Sequence, residues 1–89
     1  MESFYYLVTI SKHDFPHNDY EHILIAYDDE QGMSIESKYI TDWRLKNLIE
    51  RGESIHFEDF FLVDKKPTRV VYWGYSKERG WCERIENTI

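Results

Sequence analysis

The sequence predicts a small α+β fold, mostly antiparallel sheet with one helix packed on a face, in the order β-β-β-α-β-β-β. Three observations carry that reading. Short runs of β-branched and aromatic residues recur along the chain, separated by clusters of Asp, Gly, Pro, Ser and Lys. A single stretch near the middle has helical periodicity, with a start and a stop signal. At 89 residues the chain makes one domain, 1–89, and such a domain buries roughly 60–65% of its unfolded surface. Seven Tyr, five Phe and three Trp supply a dense core and exceed what it can enclose, so several are expected at the surface.

Phe4 to Ile10 is β-branched and aromatic and reads as the first strand. Ser11 to Glu21 is polar, is interrupted by Pro16, and reads as a loop. His22 to Tyr27 is an apolar run, as expected of a strand buried on both faces. Asp28 to Gly32 makes a turn, and Met33 to Lys38 returns with alternating polarity.

The helix follows. Thr41 is the expected N-cap, Asp42 favours the positive end of the dipole, and Arg51 the negative end. Ile40 can staple onto Leu45, and Gly52 supplies the left-handed stop. Leu45, Leu48 and Ile49 form a narrow apolar stripe that must dock on the sheet, because about ten helical residues are marginal alone. Beyond it, Ser54 to Glu58 alternates Ile55 and Phe57 with His56 and Glu58. Phe60–Val63 and Arg69–Tyr75 flank Asp64-Lys65-Lys66-Pro67, an expected hairpin loop. Trp81 to Glu86 returns after a turn closed by Gly80. Mostly hairpin connections imply a meander.

Charge is unevenly spread. Residues 1–37 hold eight acids against Lys12 alone, while residues 38–89 hold nine acids and ten bases, so the net −6 lies in the first two-fifths. An acidic lobe repels nucleic acid and membrane surfaces and attracts basic partners. The start, Met1-Glu2-Ser3-Phe4, has neither a basic n-region nor a long apolar run, so a soluble cytoplasmic protein is expected. Cys82 is the only cysteine, which excludes an internal disulfide and any zinc site built on cysteine pairs.

Several clusters of side chains carry groups capable of chemistry. His13, Asp14, His17, Asp19 and His22 have ligand chemistry, but Pro16 and Asn18 argue against the helix that would align the histidines. His56-Phe57-Glu58 matches the His-x-Glu half of a zinc deaminase, whose two-cysteine half is impossible here. Cys82 has Arg84 two residues on, yet strand alternation makes it a small filler. Phosphate-binding glycine motifs are absent, and the 28–32 turn lacks the glycine and glutamate positions of a calcium loop. No catalytic role, metal or cofactor is expected.

Trp43 lies about 170° from the apolar stripe at 100° per residue. A Trp on an outer face is either covered by a neighbouring loop, the commoner outcome, or serves as an interface anchor. The C-terminal third interleaves bases and aromatics, including Lys65, Lys66, Arg69, Tyr72, Trp73, Tyr75, Arg79 and Trp81. Sheets that stack single strands of nucleic acid use such mixtures, although residues 60–89 net only +2.

The expected function is non-catalytic binding of a partner protein. An acidic inhibitor or adaptor would present Asp14, Asp19, Glu21, Asp28, Asp29, Glu30 and Trp43 to a basic surface, such as a nucleic-acid-binding one. Phage anti-defence proteins and nuclease immunity proteins share this size and charge, and the comparison rests on those two properties. The alternative is a single-stranded nucleic-acid module using Lys65, Lys66, Arg69, Trp73, Tyr75 and Arg79.

Overall fold

The structure, a computed structural model, describes residues 1–89. Its elements are β1 (Glu2–Ile10), β2 (Tyr20–Asp28), β3 (Ser34–Ile40), α1 (Trp43–Arg51), β4 (Ile55–Val63), β5 (Arg69–Ser76) and β6 (Gly80–Thr88). That is the α+β order expected, with every strand pair antiparallel. No helix is long and apolar enough to cross a membrane.

The meander is corrected. The strands form two sheets: β1 with β4, and a four-stranded sheet in the order β3-β2-β5-β6. Two of the expected hairpins exist, β2–β3 and β5–β6. The 64–67 segment is no hairpin loop, because it carries the chain from one sheet to the other. The reason is burial. Each sheet turns one closely packed apolar face toward the other, and stacking those two faces buries them. Phe4, Val8 and Ile10 of β1 and Ile55, Phe61 and Val63 of β4 meet Ile23, Ile25, Tyr27, Val70 and Tyr72 of the larger sheet in one core.

Helix α1 closes an end of this core with Leu45 and Leu48. Its N-cap is Asp42, one residue beyond the expected Thr41. Asp42 holds extended geometry and its carboxylate accepts the Arg44 N–H at 3.0 Å, the reach a cap requires. Gly52 ends the helix at φ 66° and donates its N–H to the Leu48 carbonyl at 3.1 Å, a left-handed cap that costs glycine least.

Two core contacts depend on single residues. Gly74 of β5 faces inward, where a Cβ would stand 2.6 Å from Tyr20 Cε1. Its absence lets the Tyr20 ring lie against the strand, with Phe15 packed edge-on to that ring at 5.7 Å. The polar loop expected over Ser11 to Glu21 ends earlier, since β2 begins at Tyr20, and buried Phe15 pins the 11–19 connection to the core. Deeper in, the Tyr27 hydroxyl donates to Asp59 Oδ2 at 2.6 Å, and the Lys38 ammonium pairs with the other carboxylate oxygen. Asp59 is thus a buried carboxylate with both oxygens partnered, as burial demands.

Candidate binding surface

Antiparallel pairing of β2 with β5 sets Tyr20 opposite Ser76 and Asp28 opposite Arg69. The acids at the two ends of β2 therefore meet bases at the two ends of β5. At one end, Arg79 grips Asp19 through two bonds, Nη2 to Oδ1 at 2.6 Å and Nε to Oδ2 at 3.0 Å. The Ser76 hydroxyl donates to the same carboxylate at 2.6 Å. The Arg79 guanidinium, then Ser76, hold the Asp19 carboxyl far below its ordinary range. Arg79 also reaches Glu83 at 2.6 Å, and Lys77 pairs with Glu21 at 3.3 Å.

At the other end, Arg69 bridges Asp28 at 3.2 Å and Glu86 at 2.9 Å. Asp29 is buried, accepts the N–H groups of Gln31 and Met33 at 2.9 Å each, and lies 3.6 Å from the Lys65 ammonium. Its carboxyl is lowered chiefly by the Met33 N–H, against the opposing effect of burial. Asp29 is therefore a turn builder.

These contacts revise both expected surfaces. Of the six acids assigned to a basic partner, Asp19, Glu21, Asp28 and Asp29 are paired within the chain, and Asp28 and Asp29 are buried. Glu30 is exposed and Asp14 half-exposed, neither in an ion pair. Of the bases assigned to nucleic acid, Lys65, Arg69 and Arg79 are the same pairs seen from the other side. Lys66 remains exposed and unpaired. Four of the eight acids in residues 1–37 are thus neutralised in space, and Glu2, Asp14, Glu30 and Glu36 stay outside the ion pairs.

What the outer face of the larger sheet does present is aromatic. Tyr39 of β3, His22 of β2, Tyr75 of β5 and Trp81 of β6 form a row across all four strands. His22 stacks on Tyr75 with ring centroids 4.8 Å apart, and meets Tyr39 at 5.1 Å and Trp81 at 5.3 Å edge-on. The registers Leu24↔Tyr39, His22↔Tyr75 and Tyr75↔Trp81 bring them together. Beside the row, Leu24, Trp73 and Trp81 line a shallow depression of about 290 Å³. Tyr39 is 62% exposed and Trp81 47%; the expectation that β2 is buried on both faces holds at Ala26 and is corrected at His22 and Leu24. Its inner face, Ile23, Ile25 and Tyr27, is fully buried, while His22 and Leu24 are only half-buried. Tyr72 is not part of the row, because strand alternation turns it into the core.

The one cation over this face, Arg84, lies 5.6 Å from the Trp73 ring and donates to Glu86 at 2.8 Å. Arg84 sits within an irregularity between β5 and β6, next to Glu83, which adopts φ 51°.

The remaining candidates are scattered. Trp43 is 67% exposed, so no loop covers it, and the Arg44 guanidinium lies 5.9 Å from its ring. His17 faces Glu83 at 3.5 Å, His56 faces Thr9 at 3.3 Å, and His22 is committed to the aromatic row. No group of three or more His, Cys, Asp or Glu side chains is arranged to hold a metal ion. Cys82 has its thiol pushed up to about 11, first by burial and then by the Glu83 carboxylate. At neutral pH it is a thiol beside the Gly74 carbonyl at 3.5 Å, and a thiol is a weak nucleophile.

The sequence pattern marks Trp73, Tyr75 and Trp81, but not Tyr39, Leu24 or His22 as their neighbours. The available signal was the alternation of His22 and Leu24 with Ile23 and Ile25, which assigns them to a common outward face. No protein-family model matches the chain, and no curated protein or solved structure matches it, so any functional reading rests on this surface itself.

Proposed function

We propose that the chain is a non-catalytic protein-binding domain, an acidic adaptor or inhibitor that engages a basic segment of a partner. The aromatic row Tyr39–His22–Tyr75–Trp81, with the Leu24/Trp73/Trp81 depression beside it, is the anchor. The observation that carries this reading is the pairing of large exposed rings with a net charge of −6. Tyr and Trp are the residues most enriched at interface hot spots. Their ring faces attract Lys and Arg, and a negatively charged body steers cationic partners toward them. Glu30 and Asp14 contribute to that steering as unpaired carboxylates, and Trp43 offers a further exposed ring on α1.

The second reading, a single-stranded nucleic-acid module, is favoured by the same row. Stacking of bases on aromatic side chains contributes about 1–3 kcal/mol per base. Against it stands the electrostatics. Lys65, Arg69, Arg79 and Arg84 already neutralise carboxylates of the chain, leaving few cations to release counterions from a phosphate backbone.

Titration with an arginine-rich peptide and with oligothymidylate, read by tryptophan fluorescence across a salt series, tests the choice. The peptide should bind saturably and more weakly as salt rises, and the Tyr39→Ala/Trp81→Ala variant should lose at least about tenfold in affinity. Tighter binding of the oligonucleotide would replace this reading with the second. Binding of neither probe would remove the aromatic face as the anchor. A pull-down from the native host with the parent chain and this variant side by side then identifies the partner.

A further inference from the structure

We infer that β1 is a self-pairing edge, through which two copies of this chain join their β1–β4 ribbons into one four-stranded antiparallel sheet. An unpaired strand edge offers a row of N–H and C=O groups to another chain, and proteins that stay apart protect such edges with charge, proline, bulges or a covering element. Three of the four edges here are protected in that way. Strand β3 carries Glu36 and Lys38, and its register with β2 slips at Tyr27/Asp28. Strand β6 has its own irregularity, with Glu83 at φ 51° and the charges of Arg84 and Glu86. Strand β4 carries His56, Glu58 and Asp59 and packs against α1.

Beyond its first residue, Glu2, strand β1 has none of these. From Ser3 to Ser11 it has no charge and no proline, its register with β4 runs without a break from Glu2↔Val63 to Ile10↔Ile55, and no other strand pairs with it. Its outward side chains are also apolar. Tyr5 is 66% and Leu7 65% exposed, continuous with exposed Phe60 and Leu62 on β4, and the Tyr5 and Phe60 rings lie 4.6 Å apart.

The occupant is a second copy because the charges at the two ends of β1 are opposite. Glu2 begins the strand and Lys12 follows it. Neither has an ionic partner, since the Lys12 ammonium holds only the His17 carbonyl at 2.8 Å and Asn18 Oδ1 at 2.7 Å. Antiparallel self-pairing centred on Leu7 sets Glu2 of each copy beside Lys12 of the other and Leu7 opposite Leu7. That register also keeps outward residues opposite outward residues, as the period of two requires. The symmetry is a closed two-fold, so growth stops at the dimer. The joined sheet gathers Tyr5, Leu7, Phe60 and Leu62 from both copies into one apolar stripe. An interface limited to one edge falls among the small ones, below about 1,200 Å² in total, so association is reversible at micromolar concentrations.

Sedimentation equilibrium of the full chain between about 10 and 500 µM should show a monomer–dimer equilibrium. Leu7 is exposed, so Leu7→Lys and Leu7→Glu should each fold with an unchanged circular dichroism spectrum and sediment as monomers, because like charges then face each other across the two-fold. Mixing the two variants should restore a dimer, detected by native mass spectrometry as the mixed species alone. A parent chain that stays monomeric at 500 µM overturns the inference. So does a dimer that survives both single variants, or a mixture that stays monomeric.

Discussion

Arg79 and Asp19, sixty residues apart in the chain, are joined by two hydrogen bonds of 2.6 and 3.0 Å at the turn of the β5–β6 hairpin. The pair is the clearest case of a general cancellation, in which the acids of β2 neutralise the bases of β5 and its flanks. One consequence is functional, since the binding surface is defined more by rings than by charge. The other is a dependence of stability on pH.

Asp19, Asp29, Asp42 and Glu86 all have carboxyls held below their ordinary values by guanidinium or N–H donors. A carboxyl whose folded value is depressed stabilises the fold above its unfolded value, and that stability is lost as pH falls through the folded value. The urea midpoint should therefore be level above about pH 5 and decline steadily below about pH 4. Asp19→Asn should lower the midpoint at pH 7 and make the acid decline shallower. A midpoint unchanged from pH 5 to pH 3 would contradict the ion-pair account.

The helix start can be tested by two neighbouring substitutions. Asp42→Ala should cost about 1 kcal/mol, and Thr41→Ala much less, because only Asp42 receives the first-turn N–H. Leu48→Ala, at a fully buried position, should cost about 2–5 kcal/mol. Chemical denaturation of the three variants reads all of this, and a larger loss at Thr41 than at Asp42 would restore the cap to Thr41.

Tyr27→Phe removes one of the two groups that satisfy Asp59. A buried carboxylate that loses a donor should cost about 1.5–3 kcal/mol, more than the ring itself loses. An unchanged unfolding midpoint would mean that the hydroxyl contributes nothing to holding the carboxylate.

Gly74→Ala drives a methyl into the Tyr20 ring, which stands 2.6 Å from the site. Overpacking of this kind costs roughly 1–3 kcal/mol. The Gly74→Ala/Tyr20→Leu double variant should recover part of the loss, since the ring edge that clashes is then gone. A double variant no better than the sum of its parts would place the strain elsewhere.

Cys82 should resist alkylation at pH 7.5 and react only as pH approaches about 11, where its thiol ionises. Cys82→Ser should change stability by no more than about 1 kcal/mol. Labelling with iodoacetamide at several pH values, followed by mass spectrometry, checks the first claim, and rapid modification at pH 7 would reverse it.

The sequence by itself determined the elements. Six strands and one helix follow from local signals, because β-branched runs, turn residues and the Gly52 stop act over a few neighbours. It also determined which face of α1 is buried, since Leu45 and Leu48 are set by a period of 3.6. What it left open were the partners of each strand. Pairing β1 with β4 and β2 with β5 depends on which apolar faces can cover one another across the whole domain, a choice no short window contains. Tertiary structure alone decided that Asp19 meets Arg79 and Asp28 meets Arg69, so charges that looked like two separate surfaces became one set of internal pairs. It alone decided the aromatic row too. Tyr39, His22, Tyr75 and Trp81 are spread over four strands, and only the register of those strands sets their rings side by side.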